Sequence, residues 1–181
     1  MKLSPTEEHQ RETRFALNGG GPGILVSGLV WISAALVCSQ LGINKAVWAL
    51  LLGGALIHPI GTLLTRAQGR PATTNSANAL NQLAAASTIC LLLSCVMALG
   101  LFLLKPTLFF PAMMATIESR YLVFATVCGR VVFWALGLSL IVAAMLAFYL
   151  NAPPVLAAGL GGVIEVLFAT PMFSKPFKLA A

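Results

Sequence analysis

Long runs of apolar residues dominate the chain, and the short segments between them collect polar residues, glycine and proline. An α-helix rises about 1.5 Å per residue, so roughly 20 apolar residues cross the ~30 Å hydrocarbon core of a bilayer. Six runs reach this length: Pro22–Leu41, Ala46–Thr65, Leu83–Leu104, Thr107–Cys128, Val131–Leu150 and Pro154–Phe173. The runs do not alternate with a period of two. The pattern therefore predicts an all-α fold, a polytopic bundle of six transmembrane helices.

The runs divide the chain into three segments. Residues 1–21 are predicted to be a cytoplasmic segment with a short amphipathic helix, because Ser4 and Pro5 followed by two Glu residues are typical of a helix start. Residues 22–173 are predicted to form the six-span bundle, and residues 174–181 a basic cytoplasmic tail that binds anionic headgroups.

The longest connection, residues 67–82, is rich in Thr, Asn, Gln and Ser. It is interpreted as a solvated loop. Asn75, Asn78 and Asn81 recur every three residues, which leaves the alternative of one polar face on a helical extension of the third span.

The composition excludes a water-soluble globule. Of the 181 residues, 59% are hydrophobic and only 9% are charged, whereas a typical soluble domain has about 25% charged residues. The five acidic residues are all Glu, and the net charge is +6. Too few charged side chains exist to cover an aqueous surface, so lipid is the expected solvent for most of the chain.

The positions of the basic residues predict the orientation of the spans, because cytoplasmic loops carry the excess of Lys and Arg. With six spans and the N-terminus inside, Lys45 and Lys105 fall outside. The other nine fall inside: Lys2, Arg11, Arg14, Arg66, Arg70, Arg120, Arg130, Lys175 and Lys178. Both termini are therefore predicted to be cytoplasmic.

Glu118 and Arg120 interrupt the fourth run, which leaves an alternative with five spans. In this alternative Thr107–Ser119 re-enters the membrane without crossing it, the C-terminus is outside, and the basic residues divide six against five. Because the charge bias then nearly disappears, six spans are preferred.

A weak repeat relates the first two pairs of spans. At a spacing of 60 residues, Lys45 corresponds to Lys105, and Gly69-Arg70 to Gly129-Arg130. This pattern allows tandem helical hairpins, which are common in transporters. Coincidence in an apolar sequence explains the spacing equally well.

Three ionisable side chains fall near the middle of predicted spans: His58, Glu118 and Glu165. A charged residue at the bilayer centre costs roughly 2.5 to 3.5 kcal/mol on insertion scales, so each one is a candidate functional group. Helical rise places each of them about 18 to 20 Å below the outer boundary. We therefore expect a polar midplane cluster, and its candidate binding residues are His58, Glu118, Glu165, Thr62 and Arg120.

The positions of Thr62 and Arg120 along their spans add to this expectation. Thr62 shares a helical face with His58. Arg120 lies about 12 Å inside the predicted end of span four, so either it lines a cytoplasmic vestibule or the span ends earlier.

The cluster favours movement of a small solute, an ion or protons across the membrane. The alternative is a non-catalytic scaffold or partner-binding subunit, in which protonated Glu residues join helices through hydrogen bonds. An intramembrane enzyme is the third hypothesis. No catalytic residue, metal site or cofactor is predicted, since the chain has no Asp and no HExxH or CxxC spacing.

The remaining residues of chemical interest are interpreted as packing groups. The four cysteines (Cys38, Cys90, Cys95 and Cys128) are interpreted as small buried hydrophobes, and Tyr121 as an interface or packing aromatic. The expected partners are the lipid bilayer, a small solute or ion, and further copies in a homo-oligomer. No nucleic-acid partner is expected.

Residues 18–31 read NGGGPGILVSGLVW, and a later run reads His58-Pro59-Ile60-Gly61. In these two runs the chain resembles a group of small uncharacterised bacterial membrane proteins with several spans. The resemblance implies a compact bundle in a bacterial inner membrane, and it implies no activity.

The six-span topology predicts the location of reporter fusions. A fluorescent protein fused after Lys178 should fluoresce, because that site is cytoplasmic, and a phosphatase that is active only outside should be active after Ala152. A dark fusion at Lys178 with active phosphatase there would contradict the topology.

Overall fold

The computed structural model of the protein describes residues 4–174. Across that range the structure has seven α-helices, two short 3₁₀ turns and no β-strand. The helices are α1 (Pro5–Ala16), α2 (Gly21–Leu41), α3 (Ile43–Ala67), α4 (Leu80–Leu104), α5 (Phe109–Cys128), α6 (Val131–Tyr149) and α7 (Pro154–Ser174). The predicted basic tail lies outside the described residues, except for Ser174. The prediction of an all-α fold is confirmed.

Five helices are long and apolar enough to cross a membrane: α2, α3, α4, α6 and α7. The helix α5 corresponds to the fourth predicted span and is 20 residues long, but it is not among them. Its apolar sequence is interrupted by Glu118, Ser119 and Arg120. The structure thus supports a membrane protein with several apolar helices, and the sixth crossing stays a prediction.

The predicted start of α1 is confirmed in detail. The Ser4 hydroxyl accepts a hydrogen bond from the Glu7 backbone N–H, and the Glu7 carboxylate accepts from the Ser4 backbone N–H at 2.8 Å. These two bonds form a capping box. The Ser4 donors lower the pKa of the exposed Glu7 carboxyl group.

Helices α2 and α5 make the most extensive contacts with other helices among the described residues. Helix α2 packs against α3 and α7, whereas α5 packs against α4 and α6, and α6 completes the bundle by contacting α7. In the most apolar 18-residue stretch of each helix, 17% of the residues of α3 and 11% of those of α4 are buried, against 39 to 44% for α2, α6 and α7. In a membrane, the uncovered faces of α3 and α4 would contact lipid.

The helices of each expected hairpin do contact each other. The most extensive interface, however, joins α2 to α7, which belong to the first and the last hairpin. Tandem repetition of the hairpins stays a prediction.

Glycine makes the α2–α7 crossing close. A Cβ atom added at Gly28 would lie 3.0 Å from the Gly162 carbonyl oxygen, and one added at Gly162 would lie 2.9 Å from the Gly28 oxygen. Both distances are to backbone, which cannot move aside as a flexible side chain can. Trp31 packs on Gly161 in the same interface and is only 1% exposed. Small residues at helix contacts are the expected solution in lipid, where dispersion rather than the hydrophobic effect holds helices together.

The interpretation of residues 67–82 as a solvated loop holds for most of its positions and is wrong for Ala72 and Asn78, which are buried. Asn78 is 2% exposed, and its Nδ2 atom donates to the Glu12 carboxylate at 2.8 Å. The Ala72 backbone N–H donates to the Ala16 carbonyl group at 3.0 Å. The loop between α3 and α4 therefore folds over α1, because its amide side chains find partners there. We call the side of the bundle that α1 covers the α1 end.

The two ends of the bundle differ in charge. The α1 end carries five arginines (Arg11, Arg14, Arg66, Arg70 and Arg130). The opposite end carries Lys45 and Lys105, and the Lys105 ammonium group donates to the Asn151 side chain at 2.7 Å.

Adding a methyl group at the α2–α7 crossing should destabilise the protein. Gly28→Ala and Gly162→Ala should each cost about 1 to 3 kcal/mol, because the new Cβ atom overlaps backbone of the other helix. The measurement is the apparent Tm in detergent, with unfolding monitored by tryptophan fluorescence.

The matched controls are Gly54→Ala and Gly100→Ala, since a Cβ atom at either glycine meets nothing within 4 Å. Alanine is the better helix former, so these variants should keep or slightly raise the Tm. Equal losses in all four variants would contradict a crossing that depends on glycine.

Candidate functional site

Glu165 lies in the middle of α7 and is fully buried, with an exposed fraction of 0%. It follows Gly161 and Gly162 by about one helical turn, so it sits beside the close α2–α7 crossing. Burial of a carboxyl group among apolar helices is costly unless the group is protonated or paired. The side chains around Glu165 therefore determine whether its carboxyl group is paired or protonated.

Tyr121 on α5 is the hydrogen-bond partner of Glu165. The Tyr121 hydroxyl group donates to Glu165 Oε1 at 2.7 Å, and Tyr121 is 8% exposed. The bond joins α5 to α7, two helices that share only a small direct interface. The Ser27 hydroxyl group of α2 lies beside both groups and is also buried. Three helices thus contribute one polar group each.

The second oxygen of Glu165 is not held as the first one is. Among the described residues no donor meets hydrogen-bond geometry with the buried Oε2 atom, although the Ser27 hydroxyl group lies close enough to interact with the carboxyl group. Buried polar atoms in native proteins are nearly always satisfied, so an unsatisfied one marks a place where a proton, a water molecule or an ion fits.

Glu118 lies on α5, one turn before Tyr121, and is half-buried. Its Oε2 atom is likewise buried without a partner among the described residues. Residues three apart on a helix are neighbours, so Glu118 and Tyr121 share one side of α5. Proximity of Glu118 to Glu165 stays a prediction.

Arg120 lies inside a continuous helix. Helix α5 runs without a break through Glu118 and Arg120 to Cys128. Six spans, an earlier end of the fourth span and the five-span alternative all stay predictions, since α5 is not among the helices apolar enough to cross a membrane. The Arg120 guanidinium group lies 5.5 Å from the centre of the Phe124 ring, one turn further on. This cation–π contact lets a partly buried charge remain within the helix.

His58 and Thr62 lie elsewhere. His58 is exposed on α3, which packs against α2, and Thr62 is half-buried one turn further on. The buried residues on the α2 side of α3 include Leu50, Gly61 and Thr65. The structure therefore does not bring His58 to Glu165. A binding role for either residue stays a prediction.

Within residues 4–174, no group of three His, Cys, Asp or Glu side chains is close enough to hold a metal ion. The four cysteines are free thiols. Cys128 is buried as expected, but Cys90 is exposed on α4, so the interpretation of all four as buried is wrong for Cys90.

Comparison with known families gives one match. A model described as a family of unknown function, DUF7010, matches residues 6–175. The chain belongs to this family. No curated protein and no solved structure matches it. Membership in DUF7010 agrees with the resemblance to uncharacterised proteins, and it brings no activity with it.

Two polar groups at the site of this DUF7010 member escaped the sequence analysis. The interpretation of Tyr121 as an interface or packing aromatic missed its hydroxyl group, and Ser27 was not singled out. The signal for Tyr121 was its position three residues after Glu118, which puts both on one helical side. The signal for Ser27 was its place next to Gly28, because small residues mark helix contacts in lipid.

Removing the Tyr121 hydroxyl group should destabilise the bundle. Tyr121→Phe leaves Glu165 Oε1 without its donor and should cost about 1 kcal/mol, which is typical of interhelical hydrogen bonds in membranes. The expected result is a lower apparent Tm in detergent. Tyr149→Phe is the control, because Tyr149 is 71% exposed. Equal Tm values for the two variants would mean that the Tyr121–Glu165 bond contributes nothing to stability.

Proposed function

We propose that this chain is an integral protein of a bacterial inner membrane and moves protons across it, with Glu165 as the group that carries the proton. In this proposal α2 to α7 make six crossings, and both termini are cytoplasmic. The five arginines at the α1 end, against Lys45 and Lys105 at the other, support this orientation.

The observation that carries the proposal is the half-satisfied carboxyl group of Glu165. One oxygen accepts from Tyr121, whereas the other is buried with no partner among the described residues. A carboxyl group with one fixed donor and one free oxygen can take up and release a proton while the helices around it stay packed. Intramembrane carboxyl groups in pumps and transporters commonly form such relays.

A proton fits this site better than a larger solute does. The free Oε2 atom has almost no accessible surface, and the α2–α7 crossing beside it is closely packed at Gly28 and Gly162. A solute of several atoms would have to separate these helices. A proton needs only a transient chain of hydrogen bonds.

Glu118 is the next carrier in this proposal. It shares one side of α5 with Tyr121 and also has a buried oxygen without a partner. The Tyr121 hydroxyl group lies next to Glu165 and can both donate and accept, so it can pass a proton between the two carboxyl groups through intervening water. Arg120 precedes Tyr121 on the same helix, and its guanidinium group lies over the Phe124 ring.

The second candidate function is a membrane scaffold. The observation in its favour is that the Tyr121–Glu165 hydrogen bond links α5 to α7, as a purely structural carboxyl group would. The two functions differ in what they require of Glu165. A scaffold needs a hydrogen-bond acceptor, and a proton carrier needs an acid.

Glu165→Gln separates the two candidates, because glutamine keeps an oxygen that accepts from Tyr121 but cannot carry a proton. The assay is proton uptake into proteoliposomes that hold a pH-sensitive dye, driven by a potassium diffusion potential. Wild-type protein should conduct, and Glu165→Gln should reduce the flux by about 100-fold, a typical effect of removing an acid–base group.

Glu8→Gln is the matched control, since Glu8 is exposed on α1, and it should leave the flux unchanged. If Glu165→Gln keeps the wild-type flux, Glu165 is not the carrier. If wild-type protein shows no flux while Glu165→Ala lowers the Tm and Glu165→Gln does not, the scaffold function replaces proton movement.

A further inference from the structure

The turn between α1 and α2 is packed into the α1 end of the bundle. This turn, Asn18–Gly20, includes Asn18, which is 1% exposed and donates through Nδ2 to the Gln68 side chain at 2.7 Å. The Gly19 carbonyl group accepts from Arg130, at the start of α6, at 3.3 Å. The turn is therefore held between the end of α3 and the start of α6.

Phe133 fills the space between this turn and the Glu165 site. Its ring is 1% exposed and stacks on the Tyr121 ring. The two ring centroids are 6.3 Å apart, within the range of about 4.5 to 7 Å that is typical of aromatic pairs. A Cβ atom added at Gly20 would lie 2.8 Å from Phe133 Cζ, so the ring touches the turn on its other side. One aromatic ring thus separates Tyr121 from the α1 end.

Helix α1 lies across the end of α5 and is held there by polar contacts. Gln10 Nε2 donates to the Thr126 carbonyl oxygen at 2.7 Å. Arg14 Nη1 donates to the Cys128 carbonyl oxygen at 3.0 Å. Only Thr13 and Ala16 of α1 are buried. A helix with so little buried apolar surface opens at low cost compared with the bundle beneath it.

The contact between α1 and the loop of residues 68–79 is partly buried. Asn78 Nδ2 donates to the Glu12 carboxylate at 2.8 Å and to the His9 carbonyl oxygen at 3.2 Å. The Asn75 backbone N–H also donates to Glu12. Hydrogen bonds to a carboxylate are stronger than those between neutral groups, so this contact is a strong polar link between α1 and the loop.

The base of α1 can act as a hinge. Gly19 and Gly20 have φ angles of +67° and +85°, a region that glycine adopts without strain. Motion of α1 about these residues would also withdraw the turn that touches Phe133.

We propose that α1 and the Asn18–Gly20 turn form a lid that closes access from the α1 end to Tyr121 and Glu165, and that the Glu12–Asn78 hydrogen bond latches it. This inference rests on the proposed function, because it regulates the same proton path. Opening the latch lets α1 lift, frees Phe133 to turn aside, and admits water to the Tyr121 hydroxyl group.

Asn78→Asp tests the latch, because it replaces the donor by a carboxylate that repels Glu12 while keeping the side-chain shape. Cys128, which is 0% exposed beneath α1, reports opening. In a background with Cys38, Cys90 and Cys95 replaced by alanine, the alkylation rate of Cys128 by a polar maleimide should rise about tenfold, the scale of losing one hydrogen bond to a charged group. The proton flux should rise with it.

Two further variants keep the test specific. Ser76→Asp adds the same charge to an exposed position of the same loop. It should change neither the alkylation rate of Cys128 nor the proton flux. The Glu12→Gln, Asn78→Asp double variant exchanges donor and acceptor. It should restore slow alkylation and the wild-type flux, which simple misfolding at Asn78 would not allow.

The outcomes separate the lid from the proton path. Faster alkylation and faster flux, both reversed in the double variant, support the lid. Faster alkylation with unchanged flux that still depends on Glu165 overturns the lid and leaves the proposed function intact. Unchanged alkylation in Asn78→Asp overturns the latch. Absence of flux from wild type and every variant overturns the proposed function and the lid with it.

Discussion

The close crossing of α2 and α7 is the contact on which the rest of the structure depends. Gly28 and Gly162 let the two backbones approach until a single methyl group would not fit between them. In chain order, α2 is the first helix of the bundle and α7 is the last. Their contact therefore brings the two ends of the bundle segment together. The crossing also sets the neighbours of Glu165, which lies one turn beyond Gly162 and beside Ser27 of α2. In lipid no hydrophobic force draws helices together, so such close packing has to supply the attraction.

The buried carboxyl group follows from this packing. Glu165 could face lipid only at high cost, and the crossing instead turns it toward α5, where the Tyr121 hydroxyl group meets one of its oxygens. The other oxygen is left without a partner among the described residues. The unsatisfied atom, together with that of Glu118, makes this region the best candidate for chemistry in a chain whose other buried surfaces are mostly apolar.

The helices could be predicted closely from the sequence, and the site could be predicted only in part. The predicted span Val131–Leu150 differs from the observed α6, Val131–Tyr149, by one residue, because the length of an apolar run is set by bilayer thickness. Glu165 was found by the same logic, since an ionisable residue in a long apolar run is exceptional. His58 satisfied that criterion equally well, and yet it lies on the exposed side of α3. Depth along a helix follows from counting residues, whereas rotation about the helix axis depends on which neighbour it meets.

The sequence by itself determined that the protein is all-α, that its helices are long and apolar, and that few of its ionisable groups lie within them. These properties depend on local composition and on helix geometry, which need no knowledge of distant residues. Only the tertiary structure decided that Tyr121 and Ser27 join Glu165, and that Asn78 is buried against Glu12 instead of being solvated. Tyr121 and Glu165 are 44 residues apart, and Asn78 and Glu12 are 66 apart. Contacts over such separations arise from the fit between helix surfaces, which no local pattern of residues encodes.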